Sequence, residues 1–187
     1  RIADLDAATE GATTLLLNTP NNPTGVVYTK DTIEGIARVA EERDLWLISD
    51  EVYDTQVWSG AHLSPRMLPG VGKRTLVVGS MSKSHAMTGS RVGWVVGPAA
   101  AIACIADLAN NTTYGIPGYI QSAALFALGE GAWLEDEVGA PFKRRRARAE
   151  AMIAEQQLVG LVPSAGAMYL MLDIRATGLS GQEFGQS

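Results

Sequence analysis

The chain has 187 residues, of which 47% are hydrophobic, and this is enough to bury a substantial core in one domain or slightly more. Its 15 Lys and Arg are outnumbered by 20 Asp and Glu, and the formal net charge is −5. This balance gives no electrostatic reason to expect nucleic acid or an anionic membrane as the main partner, so a small-molecule partner is favoured.

The cysteine content, the hydropathy and the two ends of the chain suggest its compartment and its relation to a longer protein. Cys104 is the only cysteine, so it cannot form an internal disulfide; we expect a reducing, cytoplasmic compartment and a thiol that is buried as a small hydrophobe. The uncharged run at 92–106 is too short for a membrane span and is broken by a Gly-Pro pair, which predicts no transmembrane segment. Because the chain starts at Arg1 and stops within the apparent helix SGQEFGQS at 180–187, we expect a piece of a longer protein.

The first part of the chain predicts a strand, a helix and a second strand. The short apolar run TTLLL at 13–17 ends in the turn-rich string NTPNNPTG, which is typical of a buried strand that leads into a loop. Thr29 is a suitable N-cap for the following helix, in which apolar residues recur at helical spacing and charged residues occupy the opposite face. A second strand, LWLIS, follows at 45–49. The apolar positions of the helix are Ile33, Ile36, Ala37 and Ala40.

The middle of the chain continues this alternation of strands and helices. Continuous apolar runs at 75–79 and 92–96 predict strands that are covered on both faces. Such alternation is typical of an α/β fold with a mostly parallel sheet. The helices are predicted at 99–110, 117–128 and 135–158.

The last part of the chain changes character after Pro163. The run AMYLMLDI at 167–174 predicts a strand of a second domain. We therefore divide the chain into residues 1–140, as part of a large domain, and residues 141–187, as a linking helix and the start of a smaller C-terminal domain.

Polar side chains that could carry chemistry follow the predicted strands, where the loops of an α/β sheet line the ligand crevice. Lys83 has no acidic neighbour for an ion pair, and an amine in such a site can become a nucleophile toward a carbonyl. Asp50 needs a cationic partner, and a protonated ring nitrogen would serve. Arg91 could hold a phosphate together with Ser80. Taken alone, each residue also fits a plainer role as a solvated lysine, a structural aspartate or a surface arginine.

Three motifs in the same order resemble the class I/II aminotransferases, which depend on pyridoxal phosphate. The string SMSKSHAMTGSRVG at 80–93 resembles their lysine signature. NNPTG at 21–25 resembles the loop that supplies an asparagine to the cofactor ring, and SDEVYD at 49–54 resembles the segment that supplies an aspartate and a tyrosine. The similarity continues at 116–128 and 163–181 and covers essentially the whole chain. The sequence around the lysine is similar to that of the branch of the family that includes arginine–pyruvate transaminases.

The resemblance implies a role for each of these residues. Lys83 would hold the cofactor as a Schiff base and move a proton at the substrate α-carbon. Asp50 would pair with the pyridine nitrogen, while Asn22 and Tyr53 would donate hydrogen bonds to the phenolic oxygen. No metal is implied. The cofactor phosphate would be bound by Ser80, Arg91 and, beside them, Ser82.

The resemblance also implies the architecture and the reaction. The fold would be the α/β fold type I of these enzymes, a three-layer sandwich around a mostly parallel sheet, followed by the start of a smaller α+β domain. Members act as homodimers and pass the amino group of an L-amino acid to a 2-keto acid. The glycine-rich phosphate segment, the aromatic residue on the cofactor ring and the arginine for the substrate carboxylate would lie outside this chain, which alone is expected to be a poor enzyme. A lyase of the same fold and a non-catalytic binding module are the alternatives, although the retained site residues favour catalysis.

Other features have plainer interpretations. The basic run KRRRARAE at 143–150 could suggest nucleic acid, but its acidic flanks favour a solvated helix face. His85 could touch substrate, or it could pack in the core or face solvent, and His62 has no motif around it. Trp46 and Trp94 lie in predicted strands, where core packing is expected.

Overall fold

A four-stranded sheet lies at the centre of the fold, and helices flank it. The computed structural model describes residues 2–186, without the side chains of Ala3 and Asp6. The strands are β1 Thr14–Asn18, β2 Trp46–Asp50, β3 Thr75–Ser80 and β4 Gly93–Val96. The first three strands are parallel and adjacent, and β4 pairs with β3 in the antiparallel direction. The predicted α/β fold with a mostly parallel sheet is confirmed.

The predicted helices are present in the predicted order, with ends that differ by a few residues, and two short helices at 2–8 and 81–84 were not predicted. They are α1 Ile2–Ala8, α2 Lys30–Glu42, α3 Met81–Ser84, α4 Ala99–Thr112, α5 Gly118–Gly129, α6 Ala132–Ala154 and α7 Gly181–Gln186. The helix predicted at 135–158 both begins and ends earlier, while Ser187 of the last predicted helix lies outside the described residues. Cys104 on α4 is exposed, so the expected burial of its thiol is wrong. None of the helices within 2–186 combines the length and the apolarity that a bilayer span requires.

Helix α2 covers one face of the sheet in the predicted way. Its N-cap Thr29 accepts a hydrogen bond from the amide of Thr32 at 3.3 Å. Ile33 is fully buried and belongs to the same core cluster as Leu17 of β1 and Leu47 of β2. Full burial of one such side chain stabilises a fold by about 1.5–3 kcal/mol. The apolar stripe read from the sequence therefore forms the main contact between α2 and the sheet.

The expectation that the strands predicted at 75–79 and 92–96 are covered on both faces is wrong for β4, whereas no residue of β3 is exposed. Adjacent strand residues point to opposite faces, and Leu16 is 65% exposed although Leu17 beside it is buried. β4 is an edge strand, where Trp94 is 38% exposed and Val96 is exposed as well. An edge strand has a neighbour on one side only, so fewer atoms cover its side chains. Core packing is therefore not observed for Trp94, and Trp46 is also exposed.

The strand predicted at 167–174 is wrong over most of its length. Only β6, Leu172–Asp173, is a strand there, and it pairs antiparallel with β5, Gly160–Leu161. The amides of Ala165 and Ala167 bond to carbonyl groups of Gly25 and Gln56 in distant loops. Gly166 thus forms a single antiparallel bridge with Val57, and the start of the segment is held by the loops around Gly25 and Gln56 instead of by a continuous strand ladder.

Helix α6 carries the basic run of the sequence. The run at 143–150 lies inside the helix, and Arg146 forms an ion pair with Glu150, four residues later, at 2.6 Å. Lys143, Arg144 and Arg145 are exposed, as expected for a solvated helix face, whereas the side chain of Arg146 is only 14% exposed. α6 also crosses the boundary at which we divided the chain into 1–140 and 141–187, and that division stays a prediction.

Candidate active site

The carboxyl ends of the parallel strands lie together at one edge of the sheet. The register pairs Asn18 with Asp50, and Asp50 with Val78, so that β3 ends at Ser80 close by. β4 enters from the same edge, because its first residue, Gly93, pairs with Ser80. The three predicted site loops and the segment before β4 therefore converge here, as expected for an α/β sheet.

The first of these loops folds back on the end of β1. The side-chain oxygen of Asn18 accepts a hydrogen bond from the amide of Asn22 at 2.8 Å. That of Asn21 accepts one from the Thr24 hydroxyl at 2.6 Å. The side chain of Asn22 is exposed and makes no hydrogen bond within residues 2–186, so its amide group is available to a ligand. Asn21 holds the loop instead.

Asp50 ends β2 and begins the turn that carries Tyr53. Its carboxylate accepts a hydrogen bond from the amide of Val52 at 3.2 Å, and no cation contacts it in the described part of the chain. Tyr53 is only 2% exposed, and its hydroxyl lies 2.8 Å from that of Tyr169. Burial raises the pKa of Tyr53 far above its usual range, and the hydrogen bond to Tyr169 and the charge of Asp50 act in the same direction. Tyr53 therefore keeps its proton and can donate a hydrogen bond.

Lys83 lies on α3, which begins directly after β3. Ser80 is the N-cap of this helix, since its hydroxyl accepts a hydrogen bond from the amide of Ser82 at 3.0 Å, and the two serine hydroxyls are 2.9 Å apart. The backbone of Lys83 is fixed by Gln56, whose side-chain amide donates to the Lys83 carbonyl at 3.2 Å. The Lys83 ammonium forms no hydrogen bond or ion pair within residues 2–186. Nothing in this part of the chain competes for the amine.

Arg91 lies just before β4, at the same edge. Its backbone is left-handed, with φ 53°, and its guanidinium donates a hydrogen bond to the Thr88 carbonyl at 3.0 Å. No hydrogen bond joins it to Ser80 within the described residues; the Ser80 hydroxyl donates to the carbonyl of Val92 at 3.2 Å. The exposed guanidinium therefore keeps donors for an anion near the serine hydroxyls.

Sequence patterns did not identify Glu51, which braces the turn between Asp50 and Tyr53. Glu51 is 6% exposed, and its two oxygens accept hydrogen bonds from His62 Nε2 at 3.0 Å and from the Ser64 hydroxyl at 2.7 Å. Burial alone would raise the pKa of Glu51, but the hydrogen bonds from His62 and Ser64 oppose this effect, and the pKa is lowered. His62 has no motif around it, so no sequence pattern indicated that it contacts Glu51. The only sequence signal for the role of Glu51 was its position next to Asp50.

The segment 164–169 is a second feature that the sequence did not place at this edge. The carbonyl of Gly25 accepts hydrogen bonds from the amides of Ala165 and Gly166, both at 2.8 Å. Gly25 has φ +69°, and a Cβ there would lie 2.8 Å from the Gly166 carbonyl oxygen, so a side chain would not fit. The segment thus brings Tyr169 into contact with Tyr53. The strand predicted at 167–174 gave no reason to expect this contact.

His85 packs beside the lysine. It is buried, its Nδ1 lies 2.7 Å from the hydroxyl of Ser84, and its Nε2 lies 3.9 Å from Glu135 on α6. Burial raises the pKa of Glu135; the charge of His85 opposes this effect and that of Asp54 adds to it. Of the three interpretations of His85, core packing fits the structure.

The groups at this edge match the chemistry of pyridoxal phosphate. The cofactor carries an aldehyde, a basic ring nitrogen, a phenolic oxygen and a phosphate. The edge offers an unpaired amine, a carboxylate, a buried phenol, an exposed amide, two hydroxyls and a guanidinium. In the same described residues, no cluster of His, Cys, Asp and Glu could hold a metal ion. The matching residues are Lys83, Asp50, Tyr53, Asn22, Ser80, Ser82 and Arg91.

Known proteins with similar sequences are aminotransferases. The family model for aminotransferase class I and II matches residues 2–187. The arginine–pyruvate transaminase AruH of Pseudomonas aeruginosa is 44% identical over 170 residues, which are 91% of this chain and 43% of that protein. An aspartate aminotransferase of Streptomyces avermitilis is 37% identical over 185 residues, which are 97% of this chain and 45% of that protein.

Solved structures agree with the sequence relatives. The aromatic aminotransferase of Pyrococcus horikoshii OT3 superimposes with a TM-score of 0.93 at 34% identity and covers 100% of this chain, which matches 51% of that structure. N-succinyldiaminopimelate aminotransferase of Mycobacterium tuberculosis gives a TM-score of 0.88 at 30% identity over 98% of this chain and 48% of that one. The chain spans about half the length of the relatives it matches. By its motifs, its fold and its relatives, the chain belongs to the class I and II aminotransferases, a family of pyridoxal-phosphate-dependent enzymes.

Proposed function

We propose that the protein containing this chain transfers the amino group of an L-amino acid to a 2-keto acid, with pyridoxal phosphate as cofactor. One observation carries the proposal: the unpaired amine of Lys83, the carboxylate of Asp50 and the buried phenol of Tyr53 converge at the carboxyl edge of the sheet. In a chain of this family, such a set suits a cofactor that needs an amine, an anion at its ring nitrogen and a donor at its phenolic oxygen.

Each group would have a defined task. When bound, pyridoxal phosphate supplies an electron-withdrawing ring that stabilises negative charge at the substrate α-carbon. Asp50 would keep a proton on the ring nitrogen, and Tyr53 and Asn22 would donate to the phenolic oxygen. Lys83 Nζ would bond to the aldehyde carbon with loss of water and, once the substrate amine has replaced it there, the free Lys83 amine would take up the proton that leaves the α-carbon. The phosphate would be held by Ser80, Ser82 and Arg91.

The first test is an absorbance spectrum of the whole protein with pyridoxal phosphate, beside Lys83→Ala and Lys83→Arg. Lys73→Ala is the matched control, because Lys73 is exposed and lies just before β3, at the opposite end of that strand from Ser80. We expect a band near roughly 410–430 nm in the parent and the control, fixed by borohydride, and no such band in either Lys83 variant. A band that persists in Lys83→Ala would contradict the assignment of the lysine.

The second test concerns the reaction. L-arginine with pyruvate is the first substrate pair to try, since it is the pair named for the relative that is 44% identical, and L-aspartate with 2-oxoglutarate follows. Amino transfer predicts that the amino acid alone shifts the band to near roughly 330 nm and that the keto acid restores it. Release of ammonia with a cleaved side chain would indicate lyase chemistry instead. A protein without any Lys83-dependent band would be a binding module.

We also propose that the protein acts as a cytoplasmic homodimer. The support for a dimer is a set of exposed apolar side chains on and between α4 and α5, a kind of surface that protein partners cover. Sedimentation velocity of the whole protein should give twice the chain mass, and a monomer at micromolar concentration would contradict the proposal. The single cysteine supports a reducing compartment, which cell fractionation would test. The exposed side chains are Leu108, Tyr114, Tyr119, Leu125 and Phe126.

A further inference from the structure

The hydroxyl of Tyr53 already has a partner in this chain. Its oxygen lies 2.8 Å from the hydroxyl oxygen of Tyr169, and either oxygen could be the donor. The two rings meet edge to face, with centroids 5.8 Å apart and planes at 77°. Within residues 2–186, this is the only hydrogen bond of the Tyr53 hydroxyl.

The position of Tyr169 is fixed by the backbone just before it. The amide of Ala167 donates to the Gln56 carbonyl at 2.8 Å, and the indole N–H of Trp58 donates to the Ala167 carbonyl at 2.6 Å. Ala167 is buried and has φ 56°, a conformation that a non-glycine residue adopts only when its surroundings impose it. Ala167, two positions before Tyr169, is therefore held by hydrogen bonds to Gln56 and Trp58, which follow Tyr53 closely in the chain. The contact between the two phenols is built into the fold.

The number of protons decides the direction of this hydrogen bond when the cofactor is present. A phenol has one proton to donate. If Tyr53 donates its proton to the phenolic oxygen of the cofactor, its own oxygen can only accept from Tyr169. A donor that itself accepts a hydrogen bond becomes a stronger donor, because consecutive hydrogen bonds polarise one another.

We propose that Tyr169 is a positioning residue that donates a hydrogen bond to Tyr53 and so strengthens the bond from Tyr53 to the phenolic oxygen of pyridoxal phosphate. Tyr169 would thereby stabilise the ionised form of that oxygen without touching the cofactor. This inference rests on the proposed function. It adds a residue from the C-terminal segment to a site that the sequence motifs assign to three other segments.

The test is a pH titration of the visible band of the cofactor-loaded whole protein, compared for the parent, Tyr169→Phe and Tyr53→Phe. We expect Tyr169→Phe to raise the apparent pKa of the band by roughly 0.3 unit or more, and Tyr53→Phe to raise it further. The double variant should titrate like Tyr53→Phe alone, because Tyr169 acts only through Tyr53. Tyr28→Phe is the control, since Tyr28 is half-buried in the loop before α2, where it packs against the core, and its hydroxyl makes no hydrogen bond within the described residues.

A second readout is the dissociation constant of pyridoxal phosphate by equilibrium dialysis, which should rise about 2- to 5-fold in Tyr169→Phe and stay unchanged in Tyr28→Phe. A Tyr169→Phe protein that titrates like the parent would overturn the inference while the band itself upholds the proposed function. A shift of equal size in the Tyr53→Phe background would also overturn it, because Tyr169 would then act by another route. If the parent forms no Lys83-dependent band, the proposed function fails and the inference fails with it.

Discussion

Replacement of Glu51 by glutamine should destabilise the turn that presents Asp50 and Tyr53. The carboxylate of Glu51 is almost fully buried and accepts hydrogen bonds from His62 at 3.0 Å and from Ser64 at 2.7 Å. Both partners come from the loop that follows the turn, so Glu51 ties the loop to the end of β2. Glutamine has nearly the same shape, and Glu51→Gln therefore removes the charge and one acceptor with little change in volume.

The size of the effect follows from these two bonds. A hydrogen bond to a charged group contributes about 1.5–3 kcal/mol, and a buried donor left without a partner costs about 1–3 kcal/mol. Glutamine can still accept one of the two bonds, but its NH₂ group meets the other donor. Because loss of one member of a buried ionic contact costs about 3–5 kcal/mol when no acceptor remains, we expect a loss of about 2–4 kcal/mol in the free energy of unfolding.

The pH dependence of stability tests the same prediction independently, because the effect of Glu51→Gln should change with pH in a known direction. The pKa of Glu51 is lowered in the folded chain from its usual value of 4.5: burial alone would raise it, and the hydrogen bonds from His62 and Ser64 reverse that effect. A lowered pKa means that the ionised carboxylate stabilises the fold fully above pH 4.5, and that this stability is lost as the pH falls through the lower, folded value. The difference in stability between the parent and Glu51→Gln should therefore shrink below pH 4.5.

Urea unfolding of the whole protein, measured from roughly pH 7 down to roughly pH 3, tests both parts of the prediction. Glu42→Gln is the control, because Glu42 lies on the exposed face of α2 and loses the same charge. Near pH 7, Glu51→Gln should unfold at a clearly lower urea concentration than Glu42→Gln. If the two variants differ by less than about 0.5 kcal/mol, the buried contact does not hold the turn.

Three further substitutions test the fold around the site, each by its shift of the urea midpoint. Ile33→Ala should cost about 2–5 kcal/mol, because it leaves a cavity in the main core, and a loss under 1 kcal/mol would contradict the burial of Ile33. Gly25→Ala should cost at least about 1–2 kcal/mol, because of the positive φ and the 2.8 Å approach to the Gly166 carbonyl, whereas an unchanged midpoint would exclude that approach. Thr29→Ala should cost about 1 kcal/mol by loss of the cap on α2, and Thr29→Ser should restore most of it.

The parts of the fold that the sequence predicted correctly are those encoded by local patterns. Helix α2 has its cap at Thr29 and its apolar stripe at Ile33, both visible within a few residues of sequence. Lys83 and Asp50 were found because each follows a short apolar strand, and strand ends of a parallel sheet meet at one edge. The covering of β4 could not be predicted in this way, since an apolar run such as the one around Trp94 looks the same in a central strand and at an edge.

The parts that the sequence missed depend on contacts between distant residues. The run at 167–174 has the composition of a strand, but the partners of its neighbouring amides are Gly25 and Gln56, and no local pattern encodes them. Glu51 was missed for the same reason, because its partners lie in a loop with no motif. Residues that support a site are harder to find from sequence than residues that carry its chemistry. A supporting position needs only some hydrogen-bond donor at the right place, and several residue types can provide one.

The hydrogen bonds of Gln56 make the C-terminal segment a structural part of the site. Its amide donates to the Tyr53 carbonyl at 2.8 Å, its side chain donates to the carbonyl of Lys83 at 3.2 Å, and its own carbonyl accepts from Ala167 at 2.8 Å. One buried residue thus joins the turn after β2, the lysine helix and the segment that ends in Tyr169. Because a buried polar group that loses its partner costs about 1–3 kcal/mol, displacement of the C-terminal segment would disturb the Tyr53 hydroxyl and the Gln56 carbonyl together. Gln56 therefore holds the turn of Tyr53, the backbone of Lys83 and the segment that ends in Tyr169 together, while the proposed effect of Tyr169 on the cofactor passes through the Tyr53 hydroxyl alone.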